Sequence, residues 1–262
     1  MLSITSKSKG ELDAKILEGF DAIIHLGGVG IGDKRWSKKR KSAIRDSRVN
    51  STALLSNAIS SLELKPEVFV LASAIGWYGN RGDSELTENS DQGTGFLPVV
   101  CSEWEGAASK AEESGVRTVL LRTGIVLTAV GGALGKMLLP FKMGAGGPMG
   151  GGRQWMSWIS MDDEIYAIHH LIMNQDSVGA YNLTSPAPVT QRTFAKSLGR
   201  VLRRPAFAPA PGFAVKLMFG EMGERLVLDS QRVLPERLQS EGFEFLHVDV
   251  EQGLRDSLGL WK

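Results

Sequence analysis

Ser73 is the first residue whose setting suggests chemistry. It lies in ASAIGWYG (Ala72–Gly79), just past the apolar run EVFVLA (Glu67–Ala72), which reads as a buried strand. In a parallel sheet, ligands bind outside the carboxyl ends of the strands, where a serine hydroxyl can hydrogen-bond a reacting oxygen. A small polar residue that merely closes the strand would look the same. Leu71 stands where a nucleophile elbow needs glycine, so that arrangement is excluded. A tyrosine four residues before a lysine would supply a phenol of lowered pKa as acid or base. The three tyrosines, Tyr78, Tyr166 and Tyr181, are followed at that spacing by Gly82, His170 and Ser185, so no such pair exists. Any acid–base group must be another residue.

A second candidate is the loop GGVGIG (Gly27–Gly32), which follows the apolar run DAIIHL (Asp21–Leu26). Glycines after a strand let backbone N–H groups approach a pyrophosphate at a helix N-terminus. Counting from Gly28, the sixth position is Asp33 rather than glycine, and an anion there opposes a phosphate. Between Lys34 and Arg48 lie eight basic residues and one acid besides Asp33, namely Asp46. They suit either phosphates or the solvated face of a helix, with Arg35 and Arg45 the most informative to test. The four histidines, at 25, 169, 170 and 247, lack metal-ligand spacing, so no metal site is expected.

The elements that must position these residues alternate. Strands are expected at Asp21–Leu26, Glu67–Ala72, Arg117–Leu121 and Ala180–Thr184, and helices at Lys38–Leu62, Glu103–Ser114, Met161–Asn174 and Thr190–Leu202, with Thr190 as N-cap. This alternation implies right-handed crossovers and an α/β, mostly parallel sheet. Ala129–Gly152 is rich in glycine and reads as a loop folding over a site. Three prolines in Pro205–Pro211 read as a connector. The expected organisation is residues 1–204 as one domain and 205–262 as a small C-terminal α/β module.

Composition narrows the function. With 262 residues, 42% of them hydrophobic, the chain can bury a sizeable core. A net charge of +1 argues against nucleic acid or anionic lipid as partners. The single cysteine, Cys101, excludes an internal disulfide framework and a cysteine-built zinc site. Charges interrupt Val116–Phe141, the most apolar long stretch, and Met1–Lys9 is polar. A cytoplasmic protein is expected.

Several stretches in order resemble the atypical extended short-chain dehydrogenases known as epimerase family, or sugar-nucleotide-epimerase-like, proteins. They are DAIIHLGG (Asp21–Gly28), Gly32–Thr52, ASAIGWYG (Ala72–Gly79), LLRTGIVL (Leu120–Leu127), Gly131–Asp163 with its RQWMSWISMDD, and YNLTSPAPVT (Tyr181–Thr190). Gly223–Phe245, with SQRVLP, resembles that family's C-terminal module. The resemblance spans residues 10 to 258. It implies a Rossmann-like fold, an NADP or NAD cofactor with NADP favoured, and a small polar or nucleotide-linked substrate.

The resemblance also assigns positions. It makes DAIIHLGG the fourth strand of the fold, so that Leu26, Gly27 and Gly28 pass near ribose and phosphates. It gives Asn50 a structural role and puts Arg45 among the cofactor contacts. Ala72 and Ser73 lie near the nicotinamide, with Ser73 one residue out of register with the usual catalytic serine, and Arg122, Thr123 and Gly124 flank it. Tyr78, Arg153, Gln154 and Trp158 line the substrate cleft, and Asp162 and Asp163 start a helix. Where the family's tyrosine–lysine pair would lie, this chain reads VVCSEWEGAA, which makes Glu105 a substitute acid–base group or a salt-bridge partner.

Family members begin with a strand and a GxTGxxG loop, whereas this match begins in the linker after that unit. An N-terminally truncated chain or a misplaced gene start is the expectation. The missing pair leaves open a nucleotide-sensing or scaffold protein without turnover, since some relatives carry names linked to cell or plastid division. A product without cofactor binding is the third alternative. Oligomeric state is not legible.

Overall fold

The computed structural model describes residues 12–260, so the polar start at Met1–Lys9 lies outside the described residues. After a short 3-10 turn at Ala14–Leu17 come β1 (Ala22–His25), α1 (Lys38–Ser60), β2 (Val68–Ala74), β3 (Glu85–Leu86), α2 (Phe96–Gly106), α3 (Ser109–Glu113) and β4 (Arg117–Thr123). Then follow β5 (Ile125–Leu127), α4 (Gly132–Lys142), β6 (Trp155–Met156), β7 (Trp158–Ser160), α5 (Met161–Met173), β8 (Gly179–Leu183), β9 (Val189–Thr190) and α6 (Gln191–Leu202). The last elements are α7 (Gly212–Phe219), α8 (Glu221–Gly223), β10 (Arg232–Val233), α9 (Glu236–Ser240) and α10 (Val250–Ser257).

The main sheet has the order β1-β2-β4-β8, and every pair is parallel. This is the Rossmann-like α/β sheet expected from the alternation. Side chains on β2 and β4 alternate between two apolar layers. Phe69 and Leu71 face α1 and α3 together with Ile59, Trp104 and Ala111. Val68, Val70, Val119 and Leu121 face α5 together with Ala167 and Leu171. Both faces of the central strands are therefore covered, which is why they read as continuous apolar runs.

Polar residues of α1 join the first layer. Thr52 and Ser56 are buried; Trp104 Nε1 donates to Thr52 Oγ1 (3.0 Å), while Ser56 Oγ donates to Ala108 O (2.9 Å) and accepts from Ala111 N (2.8 Å). These bonds fix the register of α2 and α3 on α1, at buried positions where unpaired groups would be costly. Among the described residues no strand precedes β1, which forms an outer strand of the sheet, and its Ile24 is 45% exposed.

The glycine-rich segment departs from expectation. Instead of a continuous loop it contains α4, which buries Leu134 and Phe141 one heptad apart against α6. Pro140 lies in its last turn, two residues before its end. The remainder is zipped to the Pro205–Pro211 connector: Ala210 N donates to Pro148 O (2.9 Å) and Gly150 N to Ala210 O (2.8 Å). Gly146 and Gly147 allow this, since a Cβ there would strike the Phe141 ring and the Ala208 carbonyl.

The expected helix over Glu103–Ser114 is two helices, α2 and α3, and α2 starts earlier, at Phe96. The chain's end is woven into the rest. β10 pairs with β3, and Asp163 accepts from the backbone N–H of Leu246 (2.7 Å) and His247 (3.1 Å). Ser160 caps α5, its hydroxyl accepting from Asp163 N (3.0 Å).

Candidate functional site

The carboxyl ends of β1, β2, β4 and β8 converge, and the strand register sets who meets whom. Ser73 pairs with Arg122, and Arg122 with Asn182; Ala74 pairs with Thr123. Because successive residues on a strand face opposite sides, Ser73 and Arg122 look toward α2 while Ala74 and Thr123 look toward α5.

On the α2 side lies a closed polar network. Glu105 is 9% exposed and Arg122 is 5% exposed. Arg122 binds Glu105 in the two-pronged manner of guanidinium and carboxylate, Nε to Oε1 and Nη2 to Oε2, both at 2.9 Å. Ser73 Oγ donates to the same Oε1 at 2.6 Å. Arg122 Nη1 reaches Tyr78 Oη at 3.3 Å, and Tyr78 Oη donates to Asn182 Oδ1 at 2.7 Å. Asn182 Nδ2 in turn donates to Leu234 O (3.0 Å), and its backbone N–H to Glu88 Oε1 (3.0 Å). The guanidinium also stacks on Trp77, 3.9 Å from the ring centroid. Burial works against charge on Arg122, but hydrogen bonds and the charge of Glu105 outweigh it and raise its pKa. Burial likewise raises Tyr78 and Glu88.

This network absorbs four expected site residues, Ser73, Tyr78, Glu105 and Arg122, and changes their setting. Ser73 donates to Glu105, and both Glu105 oxygens are engaged by Arg122. Tyr78, expected on the substrate cleft, is wholly buried with its hydroxyl shared between Asn182 and Arg122. Cys101, on the same helix as Glu105, packs against the Ala74 carbonyl. Burial pushes its thiol up to about 12, which removes it as a nucleophile at neutral pH.

On the α5 side, Thr123 Oγ1 donates to Glu164 Oε1 at 3.0 Å. Glu164 Oε2 is enclosed and has no partner. Burial pushes this carboxyl up to about 7, with the Thr123 bond acting in the opposite direction. The sequence reading stopped at Asp162 and Asp163 and missed Glu164. Its place one turn into a capped helix beside a strand end was the signal available. Asn182 was missed too, although it stands in the middle of the expected strand Ala180–Thr184.

The glycine loop presents carbonyls rather than N–H groups to its basic neighbours. Arg48 Nη1 donates to Val29 O (3.1 Å), Trp36 Nε1 to Ile31 O (2.8 Å), Lys136 Nζ to Gly32 O (2.5 Å), and Arg40 to Gly30 O. Asp33 pairs with Arg40 and Lys136, both at 3.6 Å. The Val29 N–H is itself taken by Ser47 Oγ (3.2 Å). This loop is held against the chain through its carbonyls. Ahead of it, Leu26 is 60% exposed and Gly27 and Gly28 are exposed.

Of the eight basic residues, several are engaged internally. Arg45 pairs with Glu103 (2.5 Å) and Asp46 (3.1 Å), and Lys41 with Glu221 (2.9 Å). Asn50 is exposed on α1. Gly124 packs tightly, since a Cβ would lie 2.7 Å from Ser157 O. Arg153 is exposed, whereas Gln154 Nε2 ties Met149 O to Val227 O (3.0 Å each). Trp158 is 0% exposed, with Nε1 bonded to Ala187 O (3.1 Å), so it is core and does not line a cleft. A surface cavity of about 710 Å³ beside Arg203, Arg204 and Leu258 contains none of these residues. Among the described residues there is no cluster of three metal-ligating side chains and no helix long and apolar enough to cross a membrane.

Comparison with known proteins agrees with this architecture. An epimerase family protein of Mycobacterium bovis is 42% identical over 245 residues, covering 94% of this chain and 81% of the relative. A chloroplastic epimerase family protein of Arabidopsis thaliana is 42% identical over 241 residues, 91% of this chain and 69% of the relative. The crystal structure of human epimerase family protein SDR39U1 (isoform 2) with NADPH superposes with a TM-score of 0.87 at 31% identity, covering 91% of this chain and 82% of that one. A domain of unknown function (DUF1731) matches residues 210–257. The model of the NAD dependent epimerase/dehydratase family matches residues 2–184, and the chain belongs to that family.

Proposed function

We propose that this chain binds NADP(H), ahead of NAD(H), over the carboxyl ends of β1, β2 and β4, and acts as an oxidoreductase or epimerase on a small polar or nucleotide-linked substrate. The observation that carries the reading is the likeness to the human protein crystallised with NADPH, at 31% identity over 91% of this chain.

The residues present fit one half of such a cofactor. Leu26, Gly27, Gly28 and Ala72 leave exposed or half-buried small surfaces at the strand ends, suited to a ribose and a flat ring. The partnerless Glu164 Oε2 beneath Thr123 is the kind of orphaned polar atom found where a ligand is missing. The other half is supported less, since the Val29, Gly30, Ile31 and Gly32 carbonyls of the glycine loop accept from side chains of the chain itself and the Val29 N–H donates to Ser47. Arg45 can serve a phosphate only by releasing Glu103. When bound, the nicotinamide supplies hydride transfer, and the chain supplies orientation and proton handling.

Ser73, Glu105 and Arg122 act here as positioning residues that hold the ends of β2 and β4 together, and Arg153 meets charge on the substrate. Calorimetric titration of NADPH, then NADH, into the full chain tests the reading. Saturable binding with NADPH the tighter ligand is the expected result, and no binding of either overturns it.

A second reading, a nucleotide sensor or scaffold without turnover, is favoured by the absent tyrosine–lysine pair together with the saturated Glu105. Cofactor binding without oxidation or reduction of any nucleotide sugar offered would select it.

A further inference from the structure

Glu105 is fully engaged and does not qualify as a proton-handling group. Its two oxygens accept three hydrogen bonds, two of them from the Arg122 guanidinium. The opposite face of the same strand end carries a carboxyl in the reverse condition. Glu164 receives one bond, from the Thr123 hydroxyl at 3.0 Å, and its Oε2 is enclosed without a donor. We propose that Glu164 and Thr123 form a two-residue proton relay, in which Glu164 stores a proton and the Thr123 hydroxyl passes it to a ligand oxygen over the carboxyl end of β4. The proposal rests on the nicotinamide reading above, because it needs a ligand there.

The geometry supports each half. Thr123 is half-buried and sits between Ala74 and Leu183 in the sheet register, at the mouth of the strands. A small neighbour on one side leaves its hydroxyl approachable. Glu164 stands behind it on α5, where no charged partner among the described residues reaches it. β5 and β7, which pack on α5, contain no titratable residue. On β4 the neighbouring Arg122 turns to the other face and is held by Glu105. On its own helix, Asp162 is exposed, and Asp163 is committed to Ser160, Leu246 and His247. His247 Nδ1 lies 3.6 Å from Asp163 and its Nε2 lies 3.8 Å from Asp256, so its ring faces those groups.

An uncompensated carboxyl in such surroundings retains its proton, which agrees with a value of about 7. With Glu164 protonated on Oε1, the 3.0 Å bond runs in reverse, the carboxyl O–H donating to Thr123 Oγ1 and the threonine proton turning to the ligand; in the transfer, the Glu164 O–H bond breaks as Thr123 Oγ1 gains that proton. The original Thr123 proton passes to a ligand oxygen bearing developing negative charge. The carboxylate left behind is stabilised by donation from the Thr123 hydroxyl, and reversal restores the start.

The test is a carbon-detected NMR titration of the Glu164 carboxyl in the full chain, with and without saturating NADPH, in wild type, Thr123→Val and Thr123→Ser. Expected in the wild type is a midpoint near neutrality that NADPH displaces. Thr123→Val should raise the free midpoint by about one pH unit, through loss of a bond to the charged form, and abolish the NADPH effect. Thr123→Ser should restore both. A midpoint in the ordinary carboxylate range overturns the proposal, as does NADPH binding that leaves the midpoint unmoved. If NADPH does not bind, the nicotinamide reading falls and takes the relay with it. A merely structural carboxyl would not show an NADPH effect that depends on the hydroxyl at 123.

Discussion

The two faces of β4 carry carboxylates in opposite circumstances. Toward α2, Glu105 is held by Arg122 and Ser73, and the network runs on through Tyr78 and Asn182 to the Leu234 carbonyl. Toward α5, Glu164 has a single hydroxyl for company. A satisfied buried ion pair contributes order and geometry, and a missing partner within it is costly. An unsatisfied carboxyl is free to change protonation. The difference separates scaffold from chemistry more sharply than proximity does, because the two carboxylates approach neighbouring residues of one strand.

The largest effect should come from opening the closed network. Glu105→Ala strands the Arg122 charge in a buried site, and about 3–5 kcal/mol of unfolding free energy should be lost in denaturant titrations. The double substitution Glu105→Leu with Arg122→Met should recover much of that loss, since buried pairs replaced by apolar residues are often neutral. If the single variant is as stable as the wild type, the network is not the scaffold described here.

The open pair should reveal itself through pH. The Glu164 carboxyl is raised from 4.5 to about 7 in the folded state. Below pH 4.5 both folded and unfolded chains hold the proton, and nothing is lost. As pH rises toward 7 the unfolded chain releases its proton first, so stability falls, by up to about 3 kcal/mol in all. Glu164→Gln should flatten this slope and leave the variant the more stable protein at pH 8, as read from urea midpoints at several pH values. An unchanged slope in the variant would place the titrating group elsewhere.

A smaller effect is expected of Tyr78→Phe. It removes the donor to Asn182 Oδ1 and one contact of Arg122 while keeping the ring. A loss of about 1–2 kcal/mol is expected, with Glu105 and Arg122 still paired. Crystallography of the variant would show whether Asn182 turns to find another donor.

Periodicity made much of this frame legible. α1, α5 and α6 and the four parallel strands lie within a few residues of expectation, because each combines one apolar face or run with a clear cap or breaker. α4 was hidden because its glycines and Pro140 mask the spacing of Leu134 and Phe141, which only packing on α6 makes decisive. For the site, Ser73, Glu105, Tyr78 and Arg122 were each singled out, yet their mutual bonds depend on strand register and on α2 crossing them. Neither is written in local sequence. Trp158 shows the converse: a conspicuous aromatic in a distinctive motif proved to be core, as large apolar residues usually are. Glu164 escaped notice because a glutamate after two aspartates reads as an ordinary helix start.

The smallest effect sharpens the comparison from outside both regions. Arg45 was a candidate phosphate ligand, but its guanidinium lies at the surface, shared between Glu103 and Asp46. Hydrogen bonds it donates to those carboxylates raise its pKa, and solvent screens the pairs. Arg45→Ala should leave the thermal midpoint unchanged. If Arg45 also stays with Glu103 when cofactor is present, NADPH affinity should be unchanged, and its salt dependence with it. A weaker, less salt-sensitive titration would instead mean that Arg45 leaves Glu103 for a phosphate. The basic run on α1 would then belong to the functional surface, and cofactor recognition would extend beyond the strand ends.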